Sequence, residues 1–209
     1  MPAIGELPRG PCRMDCLTQK KHKRRKPRKA TPDYLRRAAL FYLERYASSS
    51  DSLRRVLLRR VARSAEVHGT DREEGAAEVE RLICQLQQQG LLNDANYAEA
   101  RARSLRRRGA SAALVRARLA AKGISRDLID RALEAVAEEE GERGELAAAI
   151  AFARRRRLGP WRAPEERAER RLRDLAALGR QGFGSSLARQ VIDAEDIETL
   201  ERLLIEAEE

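Results

Sequence analysis

The stretch KGISRDLIDRAL at Lys122–Leu133 has a counterpart, QGFGSSLARQVI, at 181–192. At an offset of 59 residues Gly123 falls on Gly182, Ile124 on Phe183, Leu128 on Leu187, Ala132 on Val191 and Leu133 on Ile192. The first copy reads as a tight joint between helices. Gly123 reverses the backbone at a helix end, Ile124 pins the turn with an apolar side chain, and Ser125 caps the next helix. A chain that builds this joint twice is made of recurring units, each of about 60 residues and three helices. One such unit buries little apolar surface alone, and stacking on a neighbour supplies the rest.

The apolar spacing extends the pattern along the chain. Leu35, Ala39, Tyr42, Leu43 and Tyr46 make one helical stripe. The serines of SSSD at 48–51 offer caps to a second helix carrying Leu53, Val56, Leu57 and Leu58. Thr70 and Glu73 fit a capping box before a third helix with Val79, Leu82, Ile83 and Leu86, and Cys84 is expected to pack within it. The next trio starts with Asp94 as a cap for Tyr97, Ala98 and Leu105, and continues with a Ser111-capped helix carrying Leu114, Val115 and Leu119. A third trio has Leu146, Ala147 and Ile150, then Leu172, Leu175 and Ala176 after Pro164, then the Gly182 joint. At an offset of 61, Ser50 falls on Ser111, Leu53 on Leu114 and Leu58 on Leu119. The expected organisation is a basic disordered tail over 1–31, helical units over 32–93 and 94–140, and a third unit with an acidic last helix over 141–209. The fold class is all-α, in tandem three-helix repeats.

Charge is distributed unevenly within a total of +10. Residues 1–31 carry a net +8, 32–93 carry +1, 94–192 carry +8, and 193–209 carry −7. A basic tail, basic centre and acidic end point to a polyanion or an acidic protein surface as partner. Cys12, Cys16 and Cys84 make no disulfide framework, and a reducing cytoplasm is expected. Cys12 and Cys16 with His22 match no common metal spacing, so no metal is expected. No phosphate loop or nucleophile motif appears, and the acidic pairs Glu138–Glu140 and Glu165–Glu166 read as solvated helix ends, so no enzyme is expected.

The segments GLLNDANYA at 90–98 and RRGASAALVRARLAAKGISRDLIDRAL at 107–133 resemble the core signature of the RecX regulatory proteins. RRRRLG at 154–159 and GFGSSLARQVI at 182–192 are similar to that family's third repeat. The resemblance spans about 32–205 and leaves out the basic tail and the acidic end. It implies an elongated, curved all-helical array without enzymatic activity or cofactor. It also implies a partner, the RecA recombinase filament on single-stranded DNA, whose assembly and activity in recombination, DNA repair and the SOS response the family modulates, usually by inhibition.

The residues expected to carry this binding are Arg101, Arg103, Arg106, Arg107, Arg108, Arg116, Arg118 and Lys122, with Arg154, Arg155, Arg156 and Arg157 in the third unit. Almost all are arginine, whose planar fork suits both phosphate and carboxylate. Individually many fit solvated helix faces paired with glutamate, but the surplus of eight charges over 94–192 is left over by that reading. Few aromatics interleave with them, which points away from base stacking and sequence-specific readout and to non-specific contact with single- or double-stranded DNA. A monomer is expected. A helix-turn-helix-like DNA-binding protein without a RecA partner is the alternative. Asp127, Asp130 and Glu134 on the third helix of the central trio speak against base readout. Arg54, Arg55, Arg59 and Arg60 offer a smaller basic patch in the first unit.

Overall fold

A computed structural model describes residues 27–205, and every regular element among them is helical. In chain order these are α1 (Pro32–Leu43), α2 (Ser50–His68), α3 (Arg72–Gln88), α4 (Asp94–Arg107), α5 (Ala112–Ala120), α6 (Arg126–Glu140), α7 (Gly144–Arg156), a 3-10 turn (Gly159–Trp161), α8 (Pro164–Arg180), α9 (Ser185–Ile192) and α10 (Ile197–Ile205). The tail residues 1–26, with Cys12, Cys16, His22 and most of the basic run, lie outside the described residues, as do 206–209. Residues 27–30 run against the end of α2, where the Ala30 amide donates to Ser64 Oγ at 2.9 Å. No described helix is long and apolar enough to cross a membrane.

Three separate apolar cores form, one per group of consecutive helices. Leu35, Leu53, Leu57, Val79, Ile83 and Leu86 close the first. Ala98, Leu105, Val115, Leu119, Ile129 and Val136 close the second. Ala149, Phe152, Leu178, Phe183, Val191 and Leu200 close the third, the last residue coming from α10. The third group therefore uses part of the acidic end as core, because Leu200, Leu203 and Leu204 share the inner face of α10 while its glutamates face out.

Several local expectations are corrected. The cap of α2 is Ser49, not Ser50, so the register with Ser111 is 62 residues rather than 61. In that register Leu53 matches Val115 and Leu57 matches Leu119, all fully buried. Asp71, not Thr70, caps α3, accepting from the Glu73 and Glu74 amides, while Thr70 donates to Ser64. Asn93 caps α4, and Asp94 instead accepts from the Ser50 amide at 2.8 Å across the first junction. Tyr46 lies beyond the end of α1 and is 58% exposed, and Cys84 faces solvent from α3. Leu172 is 76% exposed. The inner face of α8 is centred on Asp174 and Leu178, and two residues along a helix turn a side chain through about 200°.

The repeated glycine joint proves to be a docking point between units. Ser49 accepts from the Ser52 amide within its own helix and donates to the Lys122 carbonyl of the next unit at 2.7 Å. Ser111 does the same one unit later, accepting from the Leu114 amide at 3.1 Å and donating to the Gln181 carbonyl. A serine cap of one unit thus holds the residue before the joint glycine of the next. A side chain on Gly123 would strike Asp51, and one on Gly182 would strike Ser111 Oγ at 2.6 Å, so the close approach requires glycine as much as the positive φ of +73° and +86° does. The ends of the array lack the matching halves. The α2–α3 connection carries no such joint, and α8 begins after Ala163 without a side-chain cap. Replacing Ser111 by Ala removes a cap and an inter-unit hydrogen bond together, and is expected to cost about 2 kcal/mol in denaturant unfolding.

Candidate functional site

The twelve cations singled out in the sequence divide by their surroundings. Arg103 on α4 reaches Glu139 of α6 at 2.7 and 2.9 Å and Glu99 at 3.3 Å. Its hydrogen bonds with Glu139 raise its pKa above the ordinary arginine value and hold Glu139 below the usual carboxylate range. Arg106 is only 5% exposed. It grips Glu140 at 2.7 and 2.9 Å, bonds Glu145 of α7, and donates to the Ala110 carbonyl at 3.2 Å. Burial opposes its charge most strongly, and the two glutamates outweigh that opposition. Arg106 therefore ties the second unit to the third, and its guanidinium is committed to those partners. Arg116 is engaged with Asp130, across α5 and α6.

The others are free of ion pairs among the described residues. Arg107 and Arg108 end α4, Arg118 and Lys122 end α5, and Arg154 to Arg157 end α7, all exposed. The structure brings two of these groups together. Gly109, just past α4, lies against the Phe152 amide and the Ala148 carbonyl of α7, one turn before the arginine run. Arg118 and Lys122 lie at the other end of the second unit, beside the α2 start, where Arg55 also approaches the Ala121 carbonyl. Arg101 is half-buried in a groove between the first two units.

Arg157 is the one non-glycine residue with a left-handed backbone among the described residues, at φ 54° and ψ 55°. That position at a helix end suits glycine, and any other L residue costs about 1 kcal/mol there. Arg157 thus stands in a strained place at the end of a run of arginines.

Two further cations belong to this surface. Arg156, Arg173 and Arg180 line a cleft of about 410 Å³ between the end of α7 and α8, with Phe152 and Gln181 on its walls. Arg173 and Arg180 lie on α8 a little under two turns apart, on the face left open by the Asp174–Leu178 stripe. Reading α8 with its inner face on Leu172 hid this pairing, whereas a register on the Gly182 joint reveals it.

Sequence reasoning also missed the clamp under that cleft. Asp174 is 2% exposed and stands where the first two units place Leu53 and Val115. Arg162 holds it at 2.8 and 2.9 Å, and the Gly159 amide donates to it at 3.1 Å. Burial, the largest influence, pushes its carboxyl up, but Arg162 and the Gly159 amide together bring it below the ordinary aspartate value. A carboxyl depressed in the folded state contributes stability above its unfolded pKa, and that contribution is lost as pH falls through the folded value. Asp174→Asn is therefore expected to cost about 3 kcal/mol at neutral pH and to flatten the fall of the melting temperature below about pH 4. An unchanged acid profile contradicts this role for Asp174.

Comparison with known proteins agrees with the architecture. The family model described as RecX, second three-helix domain, matches residues 93–133, which span α4, α5 and the first half of α6. The chain is 46% identical over 171 residues to the regulatory protein RecX of Myxococcus xanthus, covering 81% of this chain and 90% of that protein. It is 29% identical over 171 residues to the regulatory protein RecX of Agrobacterium fabrum, covering 78% and 87%. A crystal structure of a regulatory protein RecX shares the fold, with a TM-score of 0.52 and 24% identity over 78% of this chain and 72% of that one. Fold and relatives together define a regulatory protein built as an all-helical repeat array. The chain belongs to the RecX family.

Proposed function

We propose that this regulator binds the RecA recombinase filament on single-stranded DNA in the cytoplasm and restrains its growth and activity in recombination and repair. The observation that carries the reading is the set of exposed arginines without ion pairs among the described residues at the ends of α4 and α7, joined by Arg173 and Arg180 on α8. Unpaired guanidinium groups on rigid helix ends present forks to phosphate at no cost in broken contacts, and to carboxylates equally well. Arg157, held in a strained conformation, supports the same surface. A monomer divided into units at 32–93, 94–140 and 141–209 would contact several filament subunits at once, so that weak contacts add through effective concentration. Bridging neighbouring subunits opposes addition of the next. Sequence-specific DNA reading gains no support from α6, where Asp130 is engaged with Arg116 and Asp127 opens the helix.

The test adds the full chain to RecA assembled on single-stranded DNA and follows ATP hydrolysis and filament length. Slower hydrolysis with shorter filaments is expected, with the effect weakening as salt rises. Unchanged hydrolysis and length alongside tight binding to bare DNA would favour a DNA-binding protein without a RecA partner.

A further inference from the structure

A groove of about 470 Å³ opens between the first two units, walled by Leu43, Tyr46, Leu91, Tyr97 and Ala100. It differs in chemistry from the arginine surface. Among the described residues no carboxylate lines it, although the chain carries 33 aspartates and glutamates. Its polar groups are donors in excess. Arg101 makes no ion pair among the described residues, while Arg103 and Arg106 on the same helix do. Asn93 uses its oxygen to accept from the Asn96 amide at 3.0 Å, which leaves its NH2 group turned to other acceptors. Tyr46 and Leu91 are exposed on its walls. They are two of the eight large apolar side chains exposed among the described residues.

We infer that this groove docks a short segment of a partner protein in which an apolar side chain stands beside a carboxylate. The aliphatic walls take the apolar side chain, Arg101 takes the carboxylate, and the Asn93 NH2 group takes a main-chain carbonyl. Tyrosine and arginine around a desolvated apolar centre are the side chains that most often dominate protein contacts. A nucleotide fits less well. Its phosphate would meet a single cation here, against four arginines lining the α7–α8 cleft. The recognition chemistry stands on the groove alone; the identification of the partner as the filament protein rests on the function proposed above.

Two measurements decide it. In the first, the full chain labelled with 15N is titrated with the blocked peptide Glu-Leu-Phe-Glu up to millimolar concentration, with Lys-Leu-Phe-Lys and deoxyadenosine monophosphate as comparisons. Saturable shifts of the Asn93 and Asn96 side-chain signals are expected with the acidic peptide only. They are expected to vanish in Leu91→Ser/Arg101→Glu and in Tyr46→Ser, each with unchanged helicity. In the second, Tyr46→Ser is expected to bind RecA filaments about thirtyfold more weakly while keeping its affinity for bare single-stranded DNA. No shift with the acidic peptide, or larger shifts with the nucleotide, overturns the docking site. If the parent chain itself ignores the filament but takes the peptide, the filament reading fails and the groove stands.

Discussion

Gly109→Ala is expected to destabilise the protein by more than about 3 kcal/mol, well beyond the cost of the same change at Gly90. Both glycines follow a helix with positive φ, +77° and +70°. A left-handed alanine costs about 1 kcal/mol at either. At Gly90 nothing lies within 4 Å of the added methyl group, so that is the whole expected cost. At Gly109 the methyl would sit 2.5 Å from the Phe152 amide nitrogen and 2.7 Å from the Ala148 carbonyl oxygen, both backbone atoms of α7. Relief requires moving α4 away from α7, and that movement strains the buried Arg106 contacts with Glu140 and Glu145 and the third core around Phe152. Parallel urea titrations of the two variants check this. Equal costs at the two positions would mean that the junction between the second and third units yields easily.

The second large effect is on binding. Arg107, Arg108, Arg154 and Arg156 changed together to Glu are expected to weaken filament and single-stranded DNA binding at least about a hundredfold. The salt slope of log affinity is expected to fall by about 3, since four phosphate contacts on a single strand release counterions at about 0.7 each. The fold should persist, because none of the four makes an ion pair among the described residues and exposed charges add little to stability. Arg103, Arg106 and Arg116 are unsuitable for such a test, since reversing any of them sets like charges against Glu139, Glu140 or Asp130. Arg157→Gly separates binding from folding most sharply. It relieves a left-handed residue, so the melting temperature should rise by the equivalent of about 1 kcal/mol while binding falls. Parent-like affinity in the quadruple variant, with helicity intact, would move the contact away from the α4–α7 ends.

The helices themselves were legible in the sequence, because apolar spacing, serine caps and glycine stops are local signals read over one or two turns. The joints at Gly123 and Gly182, the Ser111 and Ser125 caps and the all-helical class follow from such signals. What the joints do was not legible. Ser49 meets Lys122 and Ser111 meets Gln181 across about 70 residues of chain, and only stacking brings them within a hydrogen bond. The same limit governs charge. Sequence counts an arginine surplus in 94–192 but treats Arg106 and Arg107 alike, although one is buried between two glutamates and the next stands open. A helix turns about 100° per residue, so adjacent arginines face different neighbours, and which neighbours those are depends on the unit packed against them. Asp174 is the sharpest case. A carboxylate at a position that is apolar in the other two units reads as surface, and tertiary structure alone supplies the guanidinium and amide that let it be buried. Periodicity and caps, which act within a helix, were set by the sequence; pairing and exposure, which act between helices, were decided by how the units stack.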